Sequence, residues 1–299
     1  MKFTQTPRCT VGCCSIRMRV SFTRAQNGDN MYKIGLSTKG KVLNEELIRQ
    51  YSLAGIELME LAISQLELEE LDFCELKATT DKYSVEIASV HLPCGRCDVS
   101  KAEAHDYTLT VFEDIIKRAS SVGIRRFVVH PSTEPIADEE RMQRMFSAKN
   151  CLSELADIAA KYNSVIAVEV LPRTCLGKNS QEILELISLN NKLMVCFDTN
   201  HLLKEDSTDF IRNVGKRIVT THVSDYNFID EQHWMPGVGK INWDKLVDTL
   251  LEVGYNGPWM YEVAFYESGR LGRRIVCSDF VDNAREILLP HFDDGERNV

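Results

Sequence analysis

Apolar residues fall along this chain in two alternating textures, short continuous runs and longer stretches in which they recur every three to four positions. The runs read as strands buried on both faces and the periodic stretches as helices laid against them, which is the pattern of a parallel sheet with helical crossovers. Eight strands are predicted, at Tyr32–Leu36, Ile56–Leu61, Val85–His91, Arg126–His130, Val165–Glu169, Leu193–Phe197, Ile218–His222 and Trp259–Val263. Helices are predicted at Glu45–Leu53, Leu66–Leu76, Tyr107–Ser121, Glu139–Tyr162, Gln181–Leu189, Asp209–Val214, Trp243–Val253 and Ser278–Leu289. Gly55, Gly123 and Gly254 stand just past helices, where a left-handed residue closes the last turn. Eight such units in about 270 residues predict an α/β fold, a single closed (β/α)₈ barrel, whose usual size is about 250 residues. The open doubly wound alternative lacks its glycine-rich phosphate turn after the first strand.

Composition narrows the function classes. With 44% apolar and 26% charged residues, the 299-residue chain is globular, and no apolar run approaches the roughly 18 residues of a membrane span. Ten cysteines without regular spacing argue against a disulfide framework and for a reducing, cytoplasmic setting. The net charge of −9 hides an asymmetry: residues 1–30 carry a net +4, which leaves −13 for the remainder. Residues 1–30 are expected to be a disordered extension, with organelle targeting as the alternative, and residues 31–299 the barrel. An acidic barrel is not built for broad phosphate-backbone contact, so neither nucleic acid nor a membrane is an expected partner.

The strand ends carry the chemistry. In a closed barrel the C-terminal rim gathers side chains from different strands, and here those positions hold Glu60, His91, His130, Glu169, Asp198, His201, His222 and Glu262. Five of the seven histidines lie at these ends or, like His233, in the loop after the seventh strand. Glu169, Asp198, His222 and Glu262 offer three carboxylates and an imidazole to one axial point, a set suited to one divalent cation such as Mn²⁺, Mg²⁺, Co²⁺ or Zn²⁺. Their spacings of 29, 24 and 40 residues follow the barrel unit rather than the short intervals of a structural zinc site. Arg96, Arg173 and Lys240 lie in rim loops, where they either hold an anion or serve solubility. Cys94-Gly-Arg-Cys97 has no second pair and no thioredoxin-like context.

The motifs His91-Leu-Pro, Val-Val-His130-Pro, Val-Glu169-Val, Phe-Asp198-Thr-Asn-His201, Thr-His222-Val-Ser-Asp225 and His233-Trp-Met-Pro-Gly-Val-Gly-Lys-Ile-Asn-Trp243 resemble the sugar phosphate isomerase/epimerase family. That family belongs to the xylose isomerase-like TIM barrels, which also include zinc-dependent apurinic-site endonucleases. The resemblance implies a one-metal site on Glu169, Asp198, His222 and Glu262, with both glutamates acting as acid/base residues. It places His91, His130, His201, Asp225, His233 and Arg173 at a small sugar or sugar-phosphate substrate, and a homodimer or homotetramer would be usual. The expected metal is Mn²⁺, and the expected reaction is proton abstraction beside a carbonyl, through an enediolate stabilised by the metal. Relatives that epimerise at carbon 3 carry Arg six residues after the metal-binding His, where this chain has Phe228; Asn242 replaces a common Asp as a helix cap. The endonuclease branch uses nine ligands around three zinc ions. Candidates for all nine exist here: His91, His130, Glu169, Asp198, His201, His222, Glu231, His233 and Glu262. A related dehydratase of a polyol or keto-acid, and a barrel that binds without turnover, complete the alternatives.

Overall fold

The computed structural model describes residues 32–263, 267–268 and 273–292. The expectation for residues 1–30 lies outside them. The chain runs β1 (Ile34–Ser37), α1 (Glu45–Ala54), β2 (Leu58–Leu61), α2 (Gln65–Glu70), α3 (Phe73–Tyr83), β3 (Glu86–His91), α4 (His105–Ser121), β4 (Arg126–Val129) and α5 (Asp138–Lys161). It continues with β5 (Val165–Glu169), α6 (Ser180–Leu186), β6 (Met194–Asp198), α7 (Ser207–Val214), β7 (Ile218–His222), α8 (Trp243–Glu252) and β8 (Trp259–Tyr261). A short ribbon, β9 (Glu267–Ser268) with β10 (Arg273–Arg274), precedes α9 (Cys277–Phe292).

The eight long strands pair in parallel in chain order from β1 to β7, with β8 returning to the other side of β1. A parallel bridge between Val223 and Tyr261 joins the remaining edges: the Val223 N–H donates to the Met260 carbonyl at 2.7 Å and the Glu262 N–H to that of Val223 at 3.1 Å. Closure pairs both edges of the eight-stranded sheet and brings its C-terminal strand ends to one rim. Helices cover the outside because their apolar stripes, such as Phe112, Ile115, Ile116 and Ala119 of α4, have nowhere else to be buried.

One predicted helix is two. Ser64 and Glu67 form a reciprocal capping box that starts α2, Leu71 takes an extended backbone, and Asp72 accepts from the Cys74 and Glu75 N–H groups to start α3. The apolar spacing of Leu68, Leu71, Phe73 and Leu76 runs through this break, so periodicity predicted one continuous helix. Gly55, Gly123 and Gly254 all have positive φ, as expected of residues that close helices. Among the described residues, no helix is long and apolar enough to cross a membrane.

Candidate metal centre

Side chains two residues apart on a strand share a face. Val128, Ala167 and Cys196 form a separate, fully buried apolar group, and the next residues on the same faces are His130, Glu169 and Asp198. A dry floor therefore lies beneath a polar layer at the rim. Glu169, Asp198 and His222 end β5, β6 and β7, and Glu262 follows the last residue of β8. Each of the four offers a ligand atom, and these atoms lie within 4.8 Å of one another. His222 Nδ1 is 3.1 Å from Glu169 Oε1, 3.1 Å from Glu262 Oε2 and 3.8 Å from Asp198 Oδ2.

This group fits a divalent cation. All four residues are buried, and Asp198 Oδ2 and Glu262 Oε2 accept no hydrogen bond. Each buried ion costs several kcal/mol in lost solvation, and a divalent cation at the common point would offset that cost for the three carboxylates at once. Burial raises the Glu169 and Glu262 carboxyls, but His222, helped by His130 at Glu169 and by Lys39 at Glu262, holds both well below the usual range. Burial, with Glu262 and Glu169 alongside, holds Asp198 above its usual value against the pull of His201 and His222. Burial alone would lower His222; Cys196, Glu60, Glu169 and Glu262 hold it well above normal.

Two further groups flank these four. His91, His130 and Glu169 form one, with His91 Nε2 at 3.0 Å and His130 Nε2 at 3.2 Å from Glu169 Oε2. His201, Glu231 and His233 form the other, with His201 Nε2 at 3.1 Å from Glu231 Oε2. A backbone carbonyl can only accept, so contacts of 3.1 Å from His91 Nδ1 to the Leu92 carbonyl, 2.8 Å from His201 Nδ1 to that of Val170 and 3.0 Å from His233 Nδ1 to that of Glu262 place a proton on each Nδ1. Burial opposes the charge on His201 and His130, but Asp198 and Glu231 raise the first to about 9 and Glu169 and Cys94 raise the second to about 10. Glu231 is drawn down to about 2, chiefly by its hydrogen bond with His201.

Two residues expected at the substrate are otherwise engaged. Asp225 is fully buried and accepts from the N–H groups of Tyr226, Gly237 and Ile241 and from Trp243 Nε1, at 2.8 to 3.2 Å. A Cβ on Gly239 would lie 2.2 Å from Asp225 Oδ1. The Pro-Gly-x-Gly-x-Ile-x-Trp motif is thus a cage around Asp225 that shapes the loop between β7 and α8. Arg173 donates to Glu134, Asp230 and Glu231, at 2.5 to 3.0 Å, tying three rim loops together rather than pointing free into the mouth. Phe228 is half exposed and packs its edge on Tyr226.

Lys39, just past β1, was missed in the sequence: its ammonium contacts Glu262 Oε1. A cation following a strand end was the available signal. Glu60 was noticed only as a rim carboxylate; its Oε1 lies 3.0 Å from His222 Nε2 and its Oε2 accepts from Ser89 Oγ at 2.7 Å. Cys94 meets His130, which lowers its thiol despite burial.

A family model described as "Xylose isomerase-like TIM barrel" matches residues 46–273, and the chain belongs to that family. It is 30% identical over 188 residues to an uncharacterized protein of Methanocaldococcus jannaschii, covering 59% of this chain and 64% of the relative, which is less than two thirds of its length. It is 26% identical to an inosose isomerase of Halalkalibacterium halodurans, over 62% of this chain and 69% of the relative. A probable endonuclease 4 of Staphylococcus carnosus is 24% identical over 89% of this chain and 97% of the relative. Among solved structures, D-psicose 3-epimerase of Clostridium cellulolyticum in complex with D-tagatose has a TM-score of 0.73 at 20% identity, over 85% of this chain and 99% of that one, and so shares the fold.

Proposed function

We propose that this member of the xylose isomerase-like TIM barrel family is a metal-dependent isomerase or epimerase of a sugar or sugar phosphate. The observation that carries the reading is that Glu169 and Glu262 reach one buried point from β5 and β8, each 3.1 Å from His222 Nδ1. Glu169, Asp198, His222 and Glu262 would hold a single divalent ion, Mn²⁺ in our reading. When bound, such an ion acts as a Lewis acid toward a carbonyl oxygen and its neighbouring hydroxyl. Glu169 and Glu262 supply the proton transfer, one as base and one as acid. One removes the proton from the carbon beside the carbonyl. Delivery of a proton to the opposite face by the other glutamate, acting as the acid in its protonated form, inverts that carbon; return of the abstracted proton to the neighbouring carbon by the first interconverts aldose and ketose. His201, fixed through Nδ1 to the Val170 carbonyl, turns Nε2 toward the mouth, where it can steady a substrate hydroxyl. His91 and His130 border the same mouth on the Glu169 side, and His233 borders it on the other. We place the chemistry wholly within residues 31–299 and the protein in a reducing, cytoplasmic setting, in keeping with the free cysteines of the described residues.

The test is a panel of ketoses and their phosphates in D₂O with Mn²⁺, read by NMR. Deuterium uptake beside the carbonyl, lost in Glu262→Gln, is expected; no exchange with any substrate would overturn the reading. Loss of water in the same assay would redirect it to a dehydratase.

One observation favours a second reading, a three-zinc apurinic-site endonuclease: all nine candidate ligands fall into three groups, two of which share Glu169. Against it, Asp225 to Met235 carries no Arg or Lys for phosphates. Three tightly held zinc ions together with incision of abasic DNA would replace the isomerase reading; one metal equivalent without incision supports it.

A further inference from the structure

Four histidines at the rim have their ring orientation fixed by an identifiable partner, and one is reversed. His91, His201 and His233 rest Nδ1 on a backbone carbonyl and turn Nε2 toward the carboxylates. His222 turns Nδ1 toward Glu169 and Glu262, and its Nε2 lies 3.0 Å from Glu60 Oε1, two buried polar atoms that face each other with no aligned hydrogen bond to any partner. Among the described residues no arginine or lysine pairs with Glu60; its side chain is fully buried, and its other oxygen accepts from Ser89 Oγ at 2.7 Å. A carboxylate is costly to place there for packing alone. β2 and β7, which carry Glu60 and His222, are not neighbours in the sheet, so the contact crosses the barrel interior.

We propose that Glu60 is the positioning residue of His222, accepting the Nε2–H so that Nδ1 presents its lone pair to a divalent cation. The inference rests on the metal-binding reading above. With a cation on Nδ1, the one ring proton must sit on Nε2, and among the described residues the carboxylate at that nitrogen is Glu60. Ser89, Glu60 and His222 then form a relay from β3 through β2 to β7 that fixes tautomer and ring angle. The negative charge of Glu60 also makes the imidazole a stronger donor. Loss of such an outer partner typically costs 10- to 100-fold in metal affinity.

The test uses the full chain and metal ions alone, without substrate. Equilibrium dialysis with Mn²⁺ and with Zn²⁺ is expected to show about a tenfold weaker dissociation constant for Glu60→Gln, which keeps the size and one acceptor, and up to about 100-fold for Glu60→Ala. ¹⁵N spectra of the histidine-labelled, Zn²⁺-loaded protein should show His222 protonated at Nε2 alone, with that signal shifted in Glu60→Gln. Thermal unfolding in EDTA separates a folding defect from the proposed role, because Glu60→Gln should melt close to the native protein. Equal affinities in a folded Glu60→Gln chain, or a His222 protonated at Nδ1, would overturn the role of Glu60 and leave the metal site standing. A native chain that takes up neither ion would overturn both.

Discussion

The inner four residues and the His201–Glu231–His233 group use similar side chains but are built differently. Glu169, Asp198 and His222 stand on strands hydrogen-bonded on both sides, and Glu262 is tied to Val223 through its own N–H. Their positions are inherited from barrel closure. Glu231 and His233 instead stand in the loop between β7 and α8, with His233 at φ 50° and Glu231 held by Arg173, itself at φ 51°. That loop takes its shape from Asp225, whose carboxylate gathers four donors, and from the antiparallel bridge between Asp225 and Trp234. A strand end places a ligand without further help, whereas a loop needs a buried hub of its own.

Glu169 is common to the inner four and to the His91–His130 group, so Glu169→Gln should have the largest effect. We expect proton exchange to fall by about 10³-fold, within the usual range for general-base catalysis, with metal content lost in parallel. Steady-state NMR exchange and metal analysis would check it; an active, metal-loaded variant would break the distinction between strand and loop ligands.

Asp225→Ala leaves the inner four in place but strands the donors around the hub. Unfolding in urea should show a loss of about 3 kcal/mol, since hydrogen bonds to a buried charge are worth about 1.5–3 kcal/mol each and several are lost with partial compensation by water. Metal affinity at the inner site should change less than in Glu169→Gln.

Next in size is a pH effect on the metal-free protein. His201 has a folded value of about 9 against an ordinary 6.5, because Asp198 and Glu231 outweigh its burial. Its stabilisation is complete below about 6.5 and is lost as pH rises through about 9. The melting temperature in EDTA should therefore fall between pH 7 and 10, and His201→Gln should flatten that slope.

Arg173→Met should be smallest. The guanidinium and its carboxylates are about a third exposed or more, a setting in which ion pairs contribute roughly 0–1 kcal/mol each. Loss of any cation from the His201–Glu231–His233 group, with the inner site unaltered, would sharpen the comparison.

Alternation of buried runs and helical periods was enough to predict the barrel, because both faces of a parallel strand must be apolar and a helix on the outside must show one apolar stripe. The gathering of Glu169, Asp198, His222 and Glu262 at the rim was legible for the same reason: an acid or histidine at the end of such a run has no place but the rim. The cage around Asp225 is not legible in the sequence, because a caged carboxylate and an open one look alike as letters; only the donors from Gly237, Ile241 and Trp243, up to 18 residues away, reveal it. The break between α2 and α3 escaped notice because capping at Asp72 is a local choice that apolar spacing does not register.

What one dimension carries is period, and period specifies which residues face inward on each strand and how many units close the ring. It does not carry angle or distance between strands that are far apart in the chain. The reversal of His222, its contact with Glu60 across the interior, and the meeting of Lys39 with Glu262 follow from strand register and closure, which bring β1, β2, β7 and β8 within a few ångströms at the rim. Those contacts depend on tertiary structure because a side chain's partner is set by the neighbours that folding supplies.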